Sequence, residues 1–295
     1  MDAVTPLDAA AAVPGRAGGG YWSGVVRRLA RDPVAVAAAV AIAAIVLAAV
    51  LAPWLGLADP YRGSMLRRLR PVGDALYLLG SDELGRDMVS RLVYGGRLSL
   101  VMGVLPVVLA FLAGSAIGVV AGFAGGLVNT LVMRTVDVFY AFPSVLLAVA
   151  LSGALGAGIV NAIVSLTIVF TPQVARIAES VTTQVRARDY IEAARTSGAG
   201  PLRIIRVHVL GNVLGPVFVH ATSLVSVSMI LASGLSFLGL GSKPPEPEWG
   251  LMLNTLRTAI YVQPLVAALP GAMIFLTSIA FNLFADGLRS AMDVK

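Results

Sequence analysis

The chain of 295 residues is 57% hydrophobic and 13% charged, carries a net charge of +6 and has no cysteine. Soluble globular chains carry about 25% charged residues, so this composition excludes a water-soluble domain; the lack of cysteine excludes disulfides, thiol catalysis and zinc–thiolate sites. The basic balance does not mark a nucleic-acid binder, because no basic stripe with interleaved aromatics stands on a polar segment.

In chain order, residues 1–20 are small, contain Pro and Gly and show no periodicity, which predicts a disordered tail without the apolar core of a signal peptide. Val34 to Leu51 is an unbroken run of eighteen apolar residues, long enough to cross a bilayer. Asp32 is placed to cap it and Pro33 to open it. Arg27, Arg28 and Arg31 precede it and predict a cytoplasmic N-terminus. Residues 58–97 form a polar loop, and further spans are predicted near 98–121, 136–154, 159–176, 213–238 and 264–285. The expected class is an all-α polytopic membrane protein with about six transmembrane helices. Its expected parts are a cytoplasmic tail and amphipathic lead-in (1–33), a first span (34–57), an extracytoplasmic loop (58–97), a five-helix core (98–289) and a cytoplasmic tail (290–295). Both termini then lie on one side, with 13 of the 22 Lys and Arg residues. Seven arginines within 58–97 run against that bias.

The segment Tyr190–Leu214 reads as two short helices joined by a turn, part of a helical pair at about 185–209 between spans four and five. Gly198 or Gly200 can end the first helix in a left-handed cap, and Pro201 suits the start of the second. Glu192 follows Arg188 by four residues and precedes Arg195 by three, so these three can share a face. Ala193 and Ala194 keep the neighbouring surface flat. Such a pair is shaped to press into a groove on another protein; from the residues alone, a solvated amphipathic loop accounts for it equally well.

Glu192-Ala193-Ala194, with Gly198 and Leu210, resembles the EAA motif of binding-protein-dependent ABC importer permeases, with Gly211 where that family usually has Pro. Gly80-Ser-Asp-Glu-Leu-Gly-Arg-Asp87 with Ser90-Arg91, the run Ser236–Gly241 with Pro244, Pro245 and Pro247-Glu-Trp-Gly250, and Asn282–Arg289 are similar to further signatures of the C-type permeases in the dipeptide/oligopeptide/nickel group. The resemblance implies half of a translocation path in a bacterial inner membrane, for di- or oligopeptides, or for a glutathione-like or nickel-chelate cargo. It implies a homologous second permease, ABC ATPase domains as two chains or one fused chain, an extracytoplasmic substrate-binding protein and surrounding lipid as partners. Coupling to the ATPase is then expected at Arg188, Asp189, Glu192, Ala193, Ala194, Arg195, Gly198 and His208.

No phosphate-binding loop is present, since the only lysines are Lys243 and Lys295. ATP and Mg are therefore expected on a partner, and no cofactor or metal on this chain. The spans are nearly free of ionisable groups, which argues against a stand-alone carrier driven by protons; two distant histidines offer no cluster for a membrane-embedded enzyme. His220 and Asp137 are candidate path or gate residues, although a packed histidine and an Asp137–Arg134 pair are the simpler expectations. Lys243, Pro244, Pro245 and Trp249 sit on a proline-stiffened loop suited to receiving a binding protein. Pro106 and Pro143 are placed to kink their helices, and Gly114 and Gly118 to let helices approach closely.

Overall fold

The structure, a computed structural model, describes residues 21–292. The tail read as disordered lies outside the described residues. Within them the regular structure is helical, apart from an isolated bridge between Ser81 and Asp87.

An amphipathic helix, α1 (Tyr21–Leu29), leads into α2 (Pro33–Leu51). The Asp32 side chain accepts from the N–H groups of Val34 at 2.9 Å and Ala35 at 3.2 Å, as an N-cap does. A long loop follows, and then α3 (Met88–Ala124), α4 (Gly126–Tyr140), α5 (Ser144–Leu155) and α6 (Ile159–Arg186). A short helix α7 (Asp189–Thr196) and one turn, α8 (Pro201–Ile204), precede a π turn over Ile205–Val209 and α9 (Leu210–Phe237). The chain closes with α10 (Trp249–Thr255) and α11 (Pro264–Met292).

Among the described residues five helices are long and apolar enough to cross a membrane, and up to six if α4 and α5, which pass the same test as a pair bent by 89°, form one broken span. This matches the expected six, but the boundaries shift in four places. α3 begins at Met88, inside the stretch read as loop, because Asp87 caps it by accepting from the Ser90 N–H at 2.8 Å. The third span is broken at residues 141–143, where Pro143 stands, whereas α3 runs unbroken through Pro106. α6 continues to Arg186, well past 176. The second coupling helix is not separate, since the π turn fuses α8 to α9.

α3 and α6 form the most extensive helix pair of the bundle. Small residues permit it: a Cβ added at Gly114 would lie 2.7 Å from the Val174 Cβ, and one at Gly118 would collide with the Ala175 carbonyl. In lipid there is no hydrophobic drive between helices, so this close approach supplies the packing energy. α11 packs on α2 and α9, and the Arg28 guanidinium donates to the Ala291 carbonyl at 2.7 Å, fastening α1 to the end of α11.

Candidate functional site

The candidate coupling residues gather at the end of the bundle where α3 and α6 finish. Arg188 stands just before α7 in extended conformation, with no capping side-chain bond. α7 stops where Gly198 takes φ +80, and the Ala199 N–H closes back on the Ala194 carbonyl at 3.0 Å. Gly198 is therefore the left-handed cap, and Gly200 is not. Three contacts hold α7 to the bundle. Ile191 is completely buried in the main core. The Arg195 guanidinium lies 5.5 Å above the ring of Phe123 at the end of α3. The Tyr190 ring lies 6.1 Å from that of His208 on the π turn. The Arg195 guanidinium is thus turned to Phe123, and neither it nor Arg188 forms an ion pair with Glu192 among the described residues. Glu192 and Ala193 are exposed, and the Glu192 carboxylate makes no ion pair among the described residues. A cavity of about 550 Å³ opens beside α7, lined by Val185, Arg188, Asp189, Tyr190 and Asn212 among others.

At the opposite end the loops are locked together. Asp82 is 1% exposed; it accepts from the Leu84 and Arg86 N–H groups at 2.9 Å each and from the Arg86 Nε at 2.6 Å. Arg91, on the first turn of α3, places its Nε 3.1 Å from the Asp82 carboxylate and donates to the Pro60 carbonyl at 2.9 Å. A longer bond, 3.4 Å, reaches the Pro245 carbonyl in the loop before α10. Next to this cluster, the Glu248 side chain caps α10 by accepting from the N–H groups of Gly250 and Leu251, each at 2.8 Å, and from the Ser99 hydroxyl at 3.1 Å. Burial pushes the Glu248 carboxyl above the usual carboxylate range, against the pull of these bonds.

Trp249 is 0% exposed and its indole N–H donates to the Leu92 carbonyl at 2.8 Å. It is a packing anchor between α3 and α10, which corrects its reading as a surface contact. Lys243, Pro244 and Pro245 remain exposed. Asp137 pairs with Arg176 of α6 instead of Arg134, and α4 packs on α6. His220 is half-buried in α9, and its Nε2 finds no hydrogen-bond partner among the described residues. No group of three or more His, Cys, Asp or Glu able to hold a metal occurs among the described residues.

Residues 114–295 match the family described as binding-protein-dependent transport system inner membrane component, and residues 20–71 match the N-terminal transmembrane domain of oligopeptide transport permease C. The chain belongs to the binding-protein-dependent permeases. The di/tripeptide transport system permease protein DppC of Pseudomonas aeruginosa is 43% identical over 256 residues, covering 85% of this chain and 84% of that protein. The glutathione transport system permease protein GsiD of Pectobacterium atrosepticum is 38% identical over 274 residues, covering 93% and 91%. The probable D,D-dipeptide transport system permease protein DdpC of Escherichia coli K12 is 36% identical over 271 residues, covering 92% and 91%. In shape, a chain of the MetNI methionine ABC transporter in an inward-facing conformation aligns with a TM-score of 0.56 at 22% identity, over 69% of this chain and 97% of that one; that likeness concerns the fold alone.

For this permease, sequence reasoning named Arg195 and His208 of the contacts that hold α7 but missed Ile191, Phe123 and Tyr190. Ile191, Phe123 and Tyr190 carried no motif that set them apart from ordinary apolar residues. Asp82 and Arg91 did lie within a quoted signature, yet their pairing across nine positions of loop and helix start is visible only once folded.

Proposed function

We propose that this permease is one half of the translocation path of an ATP-driven importer of short peptides, with α7 and the π turn receiving an ATPase partner that binds ATP and Mg. The observation that carries the coupling role is α7 itself. It is fixed on its inner side by Ile191, Arg195 and Tyr190, yet it turns an unpaired Glu192 and a flat Ala193 outward. A rigid helix with an open, complementary face transmits a push instead of absorbing it. In this reading α7 and both termini are cytoplasmic, in a bacterial inner membrane. The opposite loops, with Lys243, Pro244 and Pro245 exposed, face a substrate-binding protein. A homologous second permease completes the path.

The cargo reading rests on the relatives, whose named cargoes are di- and tripeptides, D,D-dipeptides and glutathione. All are short chains with charged ends. The test is gentle purification of a tagged copy with mass spectrometry of what accompanies it, then uptake of labelled dipeptide and of glutathione by the recovered complex. A second permease and a Walker-motif ATPase, with nucleotide turnover raised by a binding protein, support the reading. A lone homo-oligomer overturns it in favour of a channel or carrier, and glutathione uptake without dipeptide uptake reassigns the cargo.

A further inference from the structure

The broken span carries an arrangement that neither packing nor coupling uses. Asp137 on α4 and Arg176 on α6 form an ion pair whose side chains are still 35% and 44% exposed. Beside it, at the 89° bend, lies a cavity of about 200 Å³, lined by Phe139, Tyr140, Phe142, Ser144 and Gln173 among others. The Gln173 amide and the Tyr140 hydroxyl make no hydrogen bond among the described residues.

Depth follows from the helices. Asp137 is eleven residues in from the start of α4, and Arg176 is ten residues from the end of α6. At about 1.5 Å rise per residue, both lie roughly 15 Å along their helices from the ends beside α7, within the segments long and apolar enough to span a membrane. Half-exposed charges at that depth are not turned to hydrocarbon, because ionisable groups in spans face a bundle interior or a water-filled cavity. The interrupted backbone at residues 141–143 leads to the same conclusion, since irregular backbone at membrane depth survives only inside protein or along water. An apolar covering surface would leave Gln173 and Tyr140 buried and unpaired, which is costly. Water and a polar cargo would not.

We infer that the α4–α5 break is where this chain touches its cargo: Asp137 takes the ammonium end of a short peptide, Arg176 its carboxylate end, and Gln173 and Tyr140 its amides. This rests on the peptide-import reading above. In the empty path the two charges neutralise each other. A zwitterionic peptide inserted between them exchanges one neutral ion pair for two, so no net charge is left in the membrane. Contacts to chain ends and amides accept many side chains, with Phe139 and Phe142 offering apolar surface. Selectivity then stays with the binding protein.

The absence of cysteine makes the test direct. Gln173→Cys and Tyr140→Cys, each in the assembled importer in membranes, are reacted with a charged methanethiosulfonate and compared with Val40→Cys on the exposed side of α2. Labelling of Gln173→Cys and Tyr140→Cys at least tenfold faster than Val40→Cys, slowed several-fold while a dipeptide is being imported, is the expected result. Labelling as slow as Val40→Cys overturns the inference, and so does fast labelling that imported dipeptide leaves unchanged. In a second arm, Arg176→Gln and Asp137→Asn are each expected to lower dipeptide uptake tenfold or more without reducing the amount of assembled complex. The exchange Asp137→Arg with Arg176→Asp keeps a pair but reverses its polarity. Wild-type uptake by the exchanged variant would make the pair a simple brace. Failure of the wild-type complex to import any peptide strikes the peptide-import reading itself, while the relative labelling rates still report whether the break is in water.

Discussion

Arg91 and Asp82 meet with Nε 3.1 Å from Oδ2, both side chains 2% exposed, and so tie the loop before α3 to the first turn of that helix. The same guanidinium holds the Pro60 and Pro245 carbonyls. One buried cation thus joins the loop before α3 to the loop before α10. Breaking a buried pair from one side leaves an uncompensated charge and costs about 3–5 kcal/mol. Asp82→Ala is expected to lose stability of that order, seen as a lower melting temperature of the purified protein or as failed assembly. Combining Asp82→Ala with Arg91→Met is expected to cost less than the sum of the two, a coupling that a double-mutant cycle reads directly.

Glu192→Lys is expected to abolish uptake while leaving the protein folded and in the membrane. Glu192 supports no neighbour among the described residues, so reversing its charge disturbs only what docks from outside. Uptake assayed beside membrane abundance separates the two effects. By contrast, Ile191→Ala removes the buried seat of α7 and is expected to cost about 2–5 kcal/mol of local stability, a core truncation, seen as faster proteolysis at residues 187–200.

Glu248 gives the end of the bundle opposite α7 a pH dependence. Its folded pKa is raised by burial, so the folded state holds its proton more tightly than the unfolded one. The contribution to stability is full below the ordinary carboxylate pKa and is lost as pH rises through the raised folded value. Glu248→Gln is expected to flatten the melting temperature between pH 4 and pH 8 relative to wild type. Its amide keeps only one of the two acceptors that cap α10, at a cost of about 1 kcal/mol. Melting followed across that pH range checks both effects; an unchanged slope would show that Glu248 is already ionised when folded.

Gly118→Val is expected to disrupt the α3–α6 contact, because the added atoms meet the Ala175 carbonyl and the Ala178 side chain. Overpacking of this kind costs about 1–3 kcal/mol. The loss should appear as a lower melting temperature and reduced membrane abundance. Gly234→Val, where the added Cβ meets open space, should be near neutral by the same measures.

Much of this protein was written locally. The eighteen apolar residues after Asp32, the cap at Gly198 and the six-span count follow from patterns confined to a turn or to one bilayer thickness, since the membrane forces each backbone group to be satisfied within its own helix. What only the tertiary structure decided depends on partners far apart in the chain. Trp249 looked like a surface aromatic on a stiff loop until Leu92, more than 150 positions earlier, proved to accept its N–H. Asp137 looked set to pair with Arg134 until α6, packed against α4, proved to bring Arg176 to it. The start of α3 at Met88 was hidden because charged residues such as Arg91 read as loop. Folding instead buries that charge against Asp82, and no local rule can foresee a buried charge whose counter-ion is supplied by another element.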